Sequence, residues 1–101
     1  MNELAGFQRR ALRAQAHALR PVVQIGQAGI TPGVLQSLQE ALDAQELLKV
    51  RLVAFQDRRK EIAAELAQAA ECELVGLIGS IAILFRAHAD PAKRRVQLPT
   101  R

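Results

Sequence analysis

The groups in this sequence best placed to do chemistry belong to the backbone. Gly26-Gln27-Ala28-Gly29 follows the apolar run Val22-Val23-Gln24-Ile25 and leads into Ile30-Thr31-Pro32-Gly33. Thr31 suits a helix N-cap and Pro32 the first helical position, where a missing N–H costs nothing. Ile30 before the cap and Leu35 inside the helix are spaced for a hydrophobic staple. A helix start offers unpaired N–H groups and a partial positive charge, and two glycines let another backbone approach with no Cβ between. The guest that fits such groups is a phosphate. A G-x-x-G spacing also occurs in plain tight turns, so the loop has to be weighed with what surrounds it.

The second group with chemical potential is cationic. Read as a helix, residues 3–19 put Leu4, Phe7, Ala11, Leu12, Ala14, Ala18 and Leu19 on one side. Arg9, Arg10, Arg13, His17 and Arg20 gather on an opposite arc of roughly 100°. That arc has one sign of charge, with no carboxylate among the arginines to form helix-face pairs. It is either a solvated surface or the footprint of a polyanion. Lys49 and Arg51 add cations on a strand. Arg58, Arg59 and Lys60 add three at a helix start, where the dipole disfavours them and Glu61 and Glu65 offset them.

Catalytic chemistry finds little to work with. His17, Cys72 and His88 are scattered, no cluster has zinc spacing, and no Lys follows Gly29 as a P-loop requires. The expectation is a protein that is not an enzyme and holds no cofactor and no metal. The single cysteine excludes an internal disulfide and reads as a small core residue.

A chain of 101 residues makes one domain with one modest core. Half the residues are hydrophobic but only three are aromatic, all Phe, so Leu, Ile, Val and Ala must build that core. A formal charge of +4 and a pI near 10.2 are compatible with a polyanionic partner. The first twenty residues carry four Arg and no continuous apolar core, and no apolar run approaches the roughly 20 residues that span a bilayer. No signal peptide and no membrane partner are expected, and the expected location is cytoplasmic.

These groups need elements to position them. Leu19-Arg20-Pro21 ends the first helix, because the residue before a proline leaves the α region. Val22–Ile25 reads as a strand and residues 32–46 as a helix with Val34, Leu35, Leu38, Ala41 and Leu42 inward and Glu40, Asp43 and Glu46 outward. Leu47–Phe55 alternates as a strand, with Leu48, Val50, Leu52 and Ala54 on one side and Lys49 and Arg51 on the other. Asp57 is placed to cap a helix reaching Ala70. Glu73–Ile78 and Ile81–Arg86 form a buried hairpin around Gly79-Ser80. The domain is taken as residues 1–86, followed by a basic, flexible tail over residues 87–101 in which Val96–Leu98 has some scope to pack. The order α-β-α-β-α-β-β predicts an α/β fold of the two-layer α+β kind, with three helices on a four-stranded mixed sheet.

Arg9-Arg10-Ala11-Leu12-Arg13, Ala16-His17-Ala18-Leu19, Pro21–Gly26 with Gly29-Ile30-Thr31, Glu46–Val50, Asp57-Arg58, Ile78-Gly79 and Leu84-Phe85-Arg86 occur in one order. Together they resemble the CRM domain, named for chloroplast RNA splicing and ribosome maturation, in its stand-alone bacterial form, the YhbY family. The resemblance covers roughly residues 3–86. It implies a shape like the C-terminal domain of initiation factor three, RNA as partner, and association with precursors of the large (50S) ribosomal subunit. By analogy with KH domains, it makes Gly26, Gln27, Ala28 and Gly29 an RNA-contacting loop. Family loops often hold a Lys where this chain has Gln27 and Ala28, and Phe85 stands where a Tyr is usual.

The RNA contacts expected here are therefore the loop with Thr31, joined by Arg9, Arg10, Arg13, Arg20, Lys49, Arg51, Arg58 and Arg59. The chain is expected to act as a monomer. Two other functions fit the residues: a protein-interaction adaptor using the acidic side of the second helix, and a small phosphate-ligand-binding protein using the loop alone.

Overall fold

A computed structural model describes residues 4–100. The chain forms α1 (Gly6–Ala16), β1 (Pro21–Ile25), α2 (Pro32–Gln45), β2 (Leu47–Leu52), α3 (Arg59–Ala69), β3 (Glu73–Ile78) and β4 (Ile81–Phe85), with single 3-10 turns at Gln56–Arg58 and Pro91–Lys93. This is the expected α/β class and element order.

The start of α2 is formed as its sequence dictates. The Thr31 hydroxyl accepts the N–H of Val34 at 3.1 Å, and Pro32 fills the first position. Ile30 and Leu35 both pack against the main core. At its other end α2 stops at Glu46, which takes φ +65, and the chain enters β2 with no intervening loop.

The strands lie in the order β1-β2-β4-β3. β1 and β2 are parallel, while β4 runs antiparallel to both its neighbours. Gly79 at φ +57 and Ser80 make the β3–β4 hairpin, and Gly supplies that left-handed conformation without strain. β4 is almost wholly buried; β3 is an edge strand, and Ile78 at its tip is exposed, so the hairpin is less covered than its apolar sequence predicts.

Strand alternation divides the interior in two. Val23, Ile25, Leu48, Val50, Leu52, Ala82 and Leu84 meet Leu38 and Leu42 of α2 and Ile62, Ala63 and Leu66 of α3. Leu47, Val75, Ile83 and Phe85 point the other way and meet Leu12 and Ala16 of α1. The two-layer reading puts all helices together, but α1 occupies the opposite face. Without it this second apolar set would lie in water.

Three local expectations need correction. α1 ends at Ala16, short of Leu19; Ala14 within it and Ala18 beyond its end are both exposed. β2 stops at Leu52, after which Val53 N–H donates to Ile25 at 3.0 Å and Phe55 turns the chain at φ +59. Asp57 falls inside the 3-10 turn that follows, so Arg58 occupies the N-cap of α3 and no side chain caps it.

Candidate nucleic-acid interface

The Gly26–Gly29 segment folds as a tight turn closed by Gly29 N–H donating to Gly26 C=O at 3.0 Å. Gly29 has φ +74, which an L side chain adopts only with strain. Gly26 needs no such freedom: a Cβ there would meet nothing within 4 Å, so its bareness leaves open space at the loop. Gln27 and Ala28 are exposed at the tip. The N–H groups of Gln27, Ala28 and Gly33 have no acceptor among the described residues. They form a set of donors beside the positive end of α2.

The fold brings part of the cationic set to this loop. Ile25 pairs with Leu52, so Arg51 lies at the same end of the sheet as the glycines, in a cross-strand row Gln24–Arg51–Ile81. A Cβ on Gly29 would lie 3.9 Å from the Phe55 ring, and Phe55 C=O accepts from Arg58 N–H at 2.9 Å, which seats the Arg58 turn beside the loop. Arg58, Arg59 and Lys60 line an open pocket with Leu77 and Gly79. Arg58 also pairs with Glu61 at 3.1 Å; both groups are exposed, so this pair is a weak competitor for a phosphate.

The α1 arginines divide into two kinds. Arg10 is exposed, as the helical-arc reading requires. Arg9 and Arg13 instead lie along the sheet side of the helix: Arg9 donates to Leu74 C=O at 2.7 Å and pairs with Glu73 at 3.3 Å, and Arg13 donates to Val75 C=O at 3.0 Å. The cause is the edge position of β3, whose register shifts between Leu74 and Gly76 and whose carbonyls find these donors. Lys49 and Arg51 alternate onto the same sheet face as α1. Arg20 is exposed at the start of β1, at the end of the sheet away from the glycine loop.

Two features escaped the sequence reading. Glu46, expected outward on α2, is buried, and its carboxylate accepts N–H groups from His88 at 2.6 Å, Arg95 at 2.5 Å and Val96 at 2.9 Å. Burial pushes this carboxyl up, but the three backbone donors and the nearby His88 imidazole outweigh it and hold it below the ordinary value of 4.5. Residues 87–100, read from sequence as a flexible tail, accordingly make defined contacts with the domain, with Val96 and Leu98 packed against the α1-side core. Cys72 is buried as expected; burial first, then Glu73, push its thiol up to about 11, with Arg86 opposing. No group of three metal-ligating side chains occurs among the described residues, and no described helix is long and apolar enough to cross a membrane.

A family model for the CRS1/YhbY (CRM) domain matches residues 4–86, the whole stretch from α1 to the end of β4. The chain belongs to the CRS1/YhbY (CRM) domain family. Among its relatives, a protein of Haemophilus influenzae named "RNA-binding protein" is 33% identical over 100 residues, covering 98% of each chain. YqeI of Bacillus subtilis, named "Probable RNA-binding protein", is 31% identical over 97 residues, covering 95% of this chain and 99% of that one. The solution structure of hypothetical protein SAV1595 from Staphylococcus aureus superposes with a TM-score of 0.80 at 35% identity, covering 96% of this chain and all of the other. The CRM match ends at Arg86, so the segment pinned by Glu46 lies beyond it.

Proposed function

We propose that this protein binds RNA and associates with precursors of the large ribosomal subunit during their assembly. The observation that carries the reading is the exposed glycine turn of a CRM domain, set at a capped helix start with free N–H groups and with Arg51 and Arg58 at the same end. Phosphate meets the backbone donors of Gln27, Ala28 and Gly33, and Arg10, Arg20, Lys49, Arg51 and Arg59 add longer-range attraction. Thr31 acts by holding the helix start in place. The names of the relatives support RNA as the ligand class. Recognition is of backbone and shape: there is no Trp or Tyr, and Phe85 is buried while Phe55 packs on the core. The protein works as a cytoplasmic monomer and does not act as an enzyme.

Sedimentation of a cell lysate through sucrose gradients at low and high salt, with the protein followed by antibody, tests the assembly role. Comigration with large-subunit precursors, released by salt or ribonuclease, is the expected result. Protein remaining at the top of the gradient at low salt would remove the ribosomal precursor from the reading.

A further inference from the structure

The segment after β4 is built into the molecule by one buried charge. Glu46 is 1% exposed, and a carboxylate so placed is stable only when its oxygens are paired. Oε2 takes the His88 N–H, and Oε1 takes those of Arg95 and Val96. Between these anchors Asp90 caps the Pro91–Lys93 turn by accepting Ala92 N–H at 3.0 Å, and Arg94 Nε donates to His88 C=O at 2.9 Å. Further along, α1 holds the segment through Gln15 to Gln97 C=O at 2.7 Å and Gln8 to Pro99 C=O at 3.1 Å.

This pinning turns Lys93, Arg94 and Arg95 outward, all exposed, and none has a carboxylate partner among the described residues. The nearby acids are occupied: Asp43 pairs with Arg86 at 3.0 Å, Asp90 caps its turn, and Glu46 is spent on backbone donors. Arg95 lines a groove with Gln15, Leu19, Gln45 and Leu47, which brings it beside the chain neighbour of Arg20. β2 runs from Leu47 at this end to Leu52 beside the glycine loop.

We propose that Arg20, Lys93, Arg94 and Arg95 form a second phosphate-contact centre about 20 Å from the glycine loop, one strand length away, with Glu46 as the positioning residue that holds it there. This rests on the RNA-binding reading and extends it: one RNA engages both ends of the sheet. Fixing the cations before binding lowers the ordering cost that a loose tail would meet on each encounter.

Filter binding of the full-length protein to in-vitro-transcribed large-subunit rRNA, over a series of salt concentrations, tests it. The variant Lys93→Ala/Arg95→Ala, altered at exposed side chains and sparing the Arg94 bond to His88 C=O, is expected to bind severalfold more weakly at moderate salt, with a log–log salt slope shallower by about 1 to 2. Glu46→Gln separates position from charge. It removes a negative charge, so attraction alone would tighten binding, whereas release of the segment weakens it severalfold. A thermal melt of each variant confirms that the domain stays folded. Wild-type binding with unchanged affinity and slope in Lys93→Ala/Arg95→Ala overturns the second centre, and equal or tighter binding by folded Glu46→Gln overturns the positioning role. Absence of wild-type binding overturns the RNA reading itself and this inference with it.

Discussion

Glu46 shows how one residue's environment sets a pH limit. Its carboxyl is held below 4.5 in the folded chain, so the stability it contributes is fully present above that ordinary value. It is lost as pH falls through the lower folded value. Amide hydrogen exchange at His88, Arg95 and Val96, corrected for intrinsic rates, should show protection at neutral pH and its loss at acid pH. The amides of β2 and β4 should stay protected through the same range. Gly76 gives a second prediction at this scale. A Cβ there would stand 2.8 Å from Cδ of Arg13, whose guanidinium is tied to Val75. Gly76→Ala should cost about 1 to 2 kcal/mol by denaturant unfolding. Arg13→Ala should cost little more in that background, since the two changes remove one contact.

At the scale of elements, α1 is the informative case. Helical period separates its apolar side from its arginines, and Leu12 is indeed buried. Period alone does not say that Arg9 and Arg13, flanking Leu12 and Ala16, reach the carbonyls of an edge strand more than sixty residues later. Arg10→Glu should therefore weaken rRNA binding with no change in melting temperature. Arg13→Glu should lower the melting temperature as well, because it removes a donor to Val75 and places an anion beside that carbonyl. Leu12→Ala should destabilise by about 2 to 5 kcal/mol in denaturant unfolding, since this side chain anchors the helix to the smaller core. α2 was more legible, because its cap, its first proline and its apolar spacing are all local signals that agree.

For the molecule as a whole, the binding reading predicts steep salt dependence. Raising salt from low to moderate should reduce rRNA affinity by orders of magnitude, measured by the same filter assay, because counterion release supplies most of the attraction. A neutral outcome, with affinity independent of salt, would point to contacts other than phosphate. Cys72 reports global integrity: buried and with its thiol raised to about 11, it should react with a thiol reagent only on the timescale of opening.

The sequence by itself determined what depends on neighbours along the chain. It defined the alternation that gives β2 an apolar and a cationic side, the Thr31-Pro32 helix start, the Gly79-Ser80 turn and the position of the glycine loop. Its motifs in register also carried the family. Only the tertiary structure decided what depends on distant segments meeting: β4 inserting between β2 and β3, α1 taking the face opposite the other helices, and two arginines turning to the β3 edge. The same holds for Glu46. At helical spacing it reads as a surface acid, yet its conformation at the helix end drives its side chain inward, where the N–H groups of residues 88, 95 and 96 replace water. No local pattern encodes that partner, because the hydrogen bonds that make the burial stable come from the other end of the domain.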